Sequence, residues 1–416
     1  MNYPAYFDYN ATTPVDPRVL ETMLPYFNTH FGNAASRTHV YGLKAEAAVD
    51  EARGQLARLL GADRKEIVFT SGATESINLA VKGVFEARQH GNHIVTVMTE
   101  HKAVLDTCVH LEKLGADVTY LQPDTDGLIT PEQFRDALRP NTLLASVMWA
   151  NNETGVIQPI AELATIAHER GVLFHTDATQ AVGKLSINLH ELPVDLLSLS
   201  GHKLYAPKGI GALVVRHKTS LIAQQDGGRH ERGRRSGTLN VPGIVALGKA
   251  AELALVETQP FASHSRQPLP SGKETQPFLQ ELYGQPNHPV PETQHLASLQ
   301  GLRDRLETGI LKAVPDAFVN GSRVHRLPTT TNIAFAGVDG EMLLGSLNQI
   351  AVSNGSACTA ASTDPSHVLK AMGLSDDLAY ASVRFSLGRF TTEAEVDLAI
   401  QHVSEVVGQL RHALAN

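Results

Sequence analysis

The chain has 416 residues, 42% hydrophobic and 19% charged, a balance that predicts a soluble globular protein too long for one compact core. A formal net charge of −8 argues against a nucleic-acid binder, and the two cysteines, Cys108 and Cys358, are too few for a disulfide framework or a cysteine zinc site, so no metal is expected. The N-terminus lacks a basic region followed by an apolar run, and no apolar stretch has the length of a bilayer, so no membrane association is expected and a reducing, cytoplasmic setting fits.

Tyr6 to Pro17 reads as a short strand and an irregular loop, with Asn10 to Thr13 placed to line a site and a helix starting after Asp16, with Pro17 at its first position. Helical spacing of Ala52, Leu56, Leu59 and Leu60 predicts a helix over 43–60 that Gly61 stops. Strands and helices then alternate. Strands are expected at 66–70, 93–98, 117–121, 143–148, 173–176, 196–199 and 212–215, with helices after the Ser71-Gly-Ala-Thr-Glu-Ser loop through about Gln89 and at 103–114, 131–138 and 159–169. Near-continuous apolar strands between helices predict a mostly parallel sheet covered on both faces, with ligands at the carboxyl ends of the strands. Residues 258–297 are rich in Gln, Pro, His and Ser and read as a linker or surface insert. Beyond them, short strands at 331–336 and 381–387 mix with helices at 299–310, 341–349 and 393–410, a smaller α+β unit. The expected organisation is a large domain over 15–257 and a small one from 1–14 with 298–416.

Five strand ends carry residues able to do chemistry. Ser71-Gly-Ala-Thr-Glu-Ser stands between a strand and a helix, where small residues let backbone N–H groups approach an anion; the plainer reading is a helix start completed by Glu75. His101 follows another strand and reads equally as a helix cap. Asn152 and Glu153 lie in Trp149-Ala-Asn-Asn-Glu-Thr-Gly, and Asp177 in His175-Thr-Asp-Ala-Thr-Gln. Lys203 closes Ser200-Gly-His-Lys and is either a solvated charge or an amine nucleophile. Together they form the set that pyridoxal phosphate requires: an amine, a carboxylate for the ring nitrogen, a ring-stacking histidine and a loop for the phosphate.

These motifs, with Asn10-Ala-Thr-Thr-Pro-Val-Asp-Pro, Gly32-Asn-Ala-Ala-Ser and Arg235-Ser-Gly-Thr, resemble the cysteine desulfurases of the NifS/IscS type, class V among the fold-type I pyridoxal-phosphate enzymes. The resemblance spans nearly the whole chain outside the Gln/Pro-rich segment. It implies an α/β fold with a large domain around a mostly parallel sheet and a smaller α+β domain. It implies that Lys203 carries the cofactor, Asp177 meets the ring nitrogen, Asn152 and Gln180 the ring-hydroxyl side, and His101 stacks on the ring and moves protons. Ala73, Thr74, Ser200 and His202 would hold the phosphate. Thr238 would reach the phosphate site of a neighbouring subunit in a homodimer.

Cys108 falls on an apolar helix face and reads as a small buried hydrophobe. Cys358 stands among Ser, Gly, Ala and Thr, in a loop like the one that carries the family's nucleophile, and is the expected attacking thiol. Arg384, flanked by apolar residues, is either half of a structural ion pair or, by the resemblance, the clamp for the substrate carboxylate, with Asn33 assisting. The implied reaction takes sulfur from L-cysteine, leaves L-alanine and a persulfide on Cys358, and passes the sulfur to an acceptor protein for iron–sulfur assembly or thiolation. The rival activities are those of a selenocysteine lyase or a class V aminotransferase; the non-enzymatic rival is a sulfur-relay partner without turnover. The segment 258–297 departs from the family pattern, and no role is assigned to it.

Overall fold

The computed structural model describes residues 3–258, 296–355 and 364–415; Cys358 and nearly all of the segment 258–297 lie outside them. The chain enters through β1 (Ala5–Tyr6), α1 (Pro17–Met23), α2 (Pro25–Asn28) and α3 (Val40–Leu60). The central sheet and its helices follow as β2 (Ile67–Thr70), α4 (Ala73–Ala87), β3 (His93–Val97), α5 (Lys102–Glu112), β4 (Asp117–Leu121), α6 (Pro131–Ala137), β5 (Thr142–Ser146), α7 (Ile160–Glu169), β6 (Leu173–Asp177), β7 (Leu196–Ser200), β8 (Gly211–Val215) and α8 (Val241–Thr258).

The seven strands lie in the order β2-β8-β7-β6-β5-β3-β4. Neighbours pair in parallel except at β8, which runs antiparallel to both β2 and β7. Alternate side chains feed two cores. Ile67, Phe69, Val95, Phe174 and Leu197 pack with α3, α7 and α8; Val68, Ile94, Leu144, Leu196 and Leu213 pack with α4 and α5. Both faces are dry, which is why these strands read as unbroken apolar runs. The parallel strands therefore end along one rim of the sheet.

The smaller unit contains α9 (Leu296–Ala313), β9 (Ala317–Val319), β10 (Thr330–Phe335), α10 (Gly340–Ser346), β11 (Ile350–Ala351), α11 (His367–Ala371), α12 (Asp376–Tyr380), β12 (Ser382–Ser386) and α13 (Glu393–Ala415). β10 sits between β9 and β12, antiparallel to both. β1 pairs in parallel with β11, and Phe7 enters a core with Leu306, Ile333, Phe385 and Val403, so the first strand packs with the C-terminal third.

Most elements agree with the periodicity to within a few residues at their ends, and two of the differences have identifiable local causes. α3 begins at Val40, because His39 caps it by accepting the Gly42 N–H on Nδ1, a role that histidine seldom signals. Glu66, expected inside a strand, closes a 3-10 turn: its carboxylate accepts the Asp63 N–H and pairs with Arg216. Gly61 ends α3 as expected, with φ +57.

Candidate active site

β2, β3, β5, β6 and β7 deliver their C-terminal ends to one cavity of about 410 Å³, closed on one side by Asn10, Ala11, Gly355 and Arg384. Ala73, Thr74, His101, Asn152, Asp177, Gln180, Ser200, His202 and Lys203 all line it. Asn33 and Thr238 do not line this cavity; both are exposed, and the Asn33 amide oxygen accepts the Ala35 N–H. Cys358 lies outside the described residues, eight positions before Ser366.

At the β2 end the Ser71–Ser76 loop leaves both of its readings open. The Glu75 carboxylate accepts the Ser71 N–H at 2.7 Å, as an ordinary helix start would. No side chain caps Gly72, however, so the first-turn amides of α4 remain for an anion in the cavity. Arg235 pairs with Glu75 at 2.8 Å. Burial works to raise the Glu75 carboxyl, but Arg235 and the Ser71 hydrogen bond outweigh it and hold it low. The basic loop 229–235 is thus tied to the anion loop instead of being a solvated turn. Gly211 lets β8 pass close by: a Cβ there would meet Gly72 Cα at 2.6 Å.

His101 is also a cap. Its Nδ1 accepts the Ala103 N–H at 3.1 Å, so the proton of a neutral ring sits on Nε2. Asp177 is 4% exposed; one oxygen accepts the Thr179 N–H at 2.9 Å, and the other has no hydrogen bond among the described residues. The buried Thr179 Oγ1, on the same cavity wall, is likewise without a partner. Lys203 Nζ donates to the carbonyls of Asn10 and Ala11, both at 2.5 Å. Burial first, then Lys203 and Lys208, push His202 down to about 4, so its ring is neutral; a dianion beside it would act the other way.

Arg384 is 1% exposed and satisfies the structural reading of its pairing. One terminal nitrogen donates to Asp8 at 2.6 Å and Ser353 at 2.9 Å, the other to the Asn152 and Gly355 carbonyls. Its Nε is buried without a partner among the described residues. Asp8, Thr179, Lys184 and Lys208 belong to the site or its wall and were not singled out in the sequence. Asp8 is joined to Arg384 only through β-pairing across the two ends of the chain, which no local pattern records.

An uncapped helix start, a buried carboxylate with an unused oxygen, an unpartnered hydroxyl and a lysine fit a small ring that carries a phosphate and an aldehyde. The aminotransferase class-V family model matches residues 5–282 and 292–399. The chain belongs to the class-V aminotransferase family. Within it, the chain is similar to the cysteine desulfurases. It is 52% identical to the cysteine desulfurase IscS of Anaeromyxobacter sp. (strain K) over 414 residues, 99% of this chain and 94% of that protein. It is 50% identical to the cysteine desulfurase IscS of Methylobacillus flagellatus over 412 residues, 98% of this chain and 93% of that protein. Among solved structures it is similar to a NifS-like protein, with a TM-score of 0.83 and 34% identity over 98% of this chain and all of that one (100%). It is also similar to SspA in complex with cysteine, with a TM-score of 0.76 and 38% identity over 93% and 100% of the two chains. Among the described residues, no helix is long and apolar enough to cross a membrane.

Proposed function

We propose that this cysteine desulfurase uses pyridoxal phosphate and the Cys358 thiol to convert L-cysteine to L-alanine, holding the sulfur as a persulfide for an acceptor protein. The observation that carries the proposal is the convergence of Lys203, Asp177, His101 and an uncapped α4 on one cavity. Bound there, pyridoxal phosphate supplies an electron sink for the charge left at the substrate α-carbon. Lys203 is the amine that would hold its aldehyde carbon. Asp177 offers its unused oxygen to the ring nitrogen, and Asn152 and Gln180 stand at the hydroxyl side. The amides of Ala73 and Thr74, with Ser200 and His202, surround the phosphate position.

Arg384 receives the substrate carboxylate by exchanging it for Asp8, its resting partner. His101, oriented by the Ala103 N–H, holds its exchangeable proton on Nε2. The Cys358 thiolate attacks the substrate sulfur: an S–S bond forms, the substrate C–S bond breaks, and the β-carbon takes a proton. L-Cysteine and the Cys358 thiol thus become L-alanine and the Cys358 persulfide, with atoms and electrons balanced. The acceptor is a protein of iron–sulfur assembly or thiolation. The working form is a homodimer in which Thr238, exposed and away from its own cavity, serves the neighbouring site. A cytoplasmic setting keeps both thiols reduced.

The deciding experiment adds L-cysteine to the chain reconstituted with pyridoxal phosphate and measures alanine, sulfide and protein-bound persulfide. Alanine with a persulfide on the Cys358 peptide is expected. Normal alanine formation by Cys358→Ala would remove the nucleophile assignment. Transamination in place of alanine release would favour the aminotransferase reading.

A further inference from the structure

One cation beside the cavity has no task in that mechanism. Lys184 lies in the turn after Asp177, where the Val182 and Leu185 N–H groups bond back to Ala178 and Ala181. It stands four residues after Gln180, and the turn brings the two side chains together. Lys184 Nζ donates to Gln180 Oε1 at 2.7 Å and to Asn10 Oδ1 at 3.0 Å. No carboxylate pairs with it among the described residues, and the charges that act on it are those of Lys203 and Arg384, both cations. Burial first, and then those two cations, push its amine down to about 7. Tyr9, Tyr205 and Arg389 line a small cavity with it, and Arg389 is held by Asp16. A lysine serving solubility or an ordinary ion pair would not be half-buried among cations and amides.

In its protonated form Lys184 is an ammonium, which donates and never accepts. It therefore fixes the Gln180 amide with its oxygen toward Lys184 and its NH2 group the other way. One N–H of that group meets the Asn10 carbonyl at 2.9 Å, and the other is left for the cavity that Gln180 lines. Asn10 is fixed in the same manner: its Oδ1 faces Lys184, and its Nδ2 reaches Thr330 Oγ1 at 3.0 Å and the Asn152 carbonyl at 3.2 Å. The Asn10 carbonyl, which only accepts, holds the NH2 end of the Gln180 amide, so Lys184 and that carbonyl fix it from both ends.

We propose that Lys184 is a positioning residue of this site: as an obligatory donor it turns an N–H of Gln180 toward the cavity, which selects a ring bearing an anionic oxygen at that point. The inference rests on the pyridoxal-phosphate reading above, whose ring oxygen is of that kind. Lys184 touches neither ring nor substrate and acts through Gln180.

The test compares Lys184→Met, Lys184→Gln and Lys184→Arg with the unmodified chain, each reconstituted with pyridoxal phosphate. Two quantities are read: the dissociation constant of the cofactor, and the midpoint of its visible-absorbance change on pH titration. Losing the aimed N–H disfavours the anionic ring oxygen, so Met and Gln raise the midpoint by about half to one pH unit and weaken binding about three- to ten-fold. Arg, also an obligatory donor, restores both. In a Gln180→Leu background, Lys184→Met adds nothing further. A midpoint unchanged in Met and Gln, or an effect fully additive with Gln180→Leu, overturns the inference while leaving the cofactor reading intact. An unmodified chain that gains no visible absorbance overturns the cofactor reading and the inference with it. If the Met variant does not fold, as judged by circular dichroism, Lys184→Gln carries the same comparison, because it keeps a polar end and replaces the donor-only group by one that also accepts.

Discussion

Cys108 is fully buried on α5, and its thiol is pushed up to about 12 by burial first, then by Glu100 and Glu112. It forms no useful thiolate near neutral pH. Alkylation of the native protein, read by peptide mass mapping, is therefore expected to label Cys358 and spare Cys108. Cys108→Ala keeps turnover within about two-fold, because a buried cysteine contributes packing and no reactivity. At Arg384 the sequence left two roles open, and the Asp8 pairing meets one without removing the other. Arg384→Lys loses the two-pronged recognition of a carboxylate. It should raise KM for L-cysteine about ten- to hundred-fold with a smaller change in kcat, measured by initial rates.

At the scale of elements, the loop around Glu231 bears on the site from a distance. Arg53 on α3 makes two hydrogen bonds to the Glu231 carboxylate, at 2.7 and 2.8 Å, and Glu231 also accepts the Phe69 N–H of β2 at 2.9 Å. Glu231, Arg232 and Arg229 adopt positive φ without being glycine, a strained run that these contacts hold in place. The same loop supplies Arg235 to Glu75, so the strain sits next to the turn that opens α4. Arg53→Ala leaves Glu231 buried and unpaired and is expected to cost about 3–5 kcal/mol, measured by denaturant unfolding. Arg235→Gln, at a half-buried pair, should weaken cofactor affinity more than stability; equilibrium dialysis and thermal melting separate the two effects.

Across the whole molecule, Asp16 and Arg389 tie the start of α1 to the segment after β12, at 2.5 Å, with Tyr205 lying against the guanidinium. Burial works to raise the Asp16 carboxyl, yet Arg18 and Arg389 prevail and hold it below the usual carboxylate range. Its folded-state pKa is depressed, so its stabilisation is fully present above the ordinary carboxylate value and is lost as the pH falls through the folded value. Asp16→Asn should remove that part of the acid-side loss of stability, seen as a shallower dependence of the melting temperature on pH below about pH 4. The fold was legible because its sheet is dry on both faces, so strands and helices announced themselves in apolar runs and helical spacing. The site was legible wherever a residue closed a strand: His101, Asp177 and Lys203 each stand at or just past the end of one.

By itself, the sequence determined the strand–helix alternation, the inventory of strand ends, the family resemblance and the contrast between the two cysteines. All of these are written in local order along the chain, through periodicity and through motifs a few residues long. Only the tertiary structure decided which partners those residues have. Asp8 reaches Arg384 because the segment just after β1 bridges to the end of β12, and Asn10 collects Gln180, Lys184 and Lys203 because the N-terminal loop crosses the rim of the sheet. Such contacts join positions far apart in the chain, and their strength depends on burial and direction. Neither quantity exists until the chain has folded.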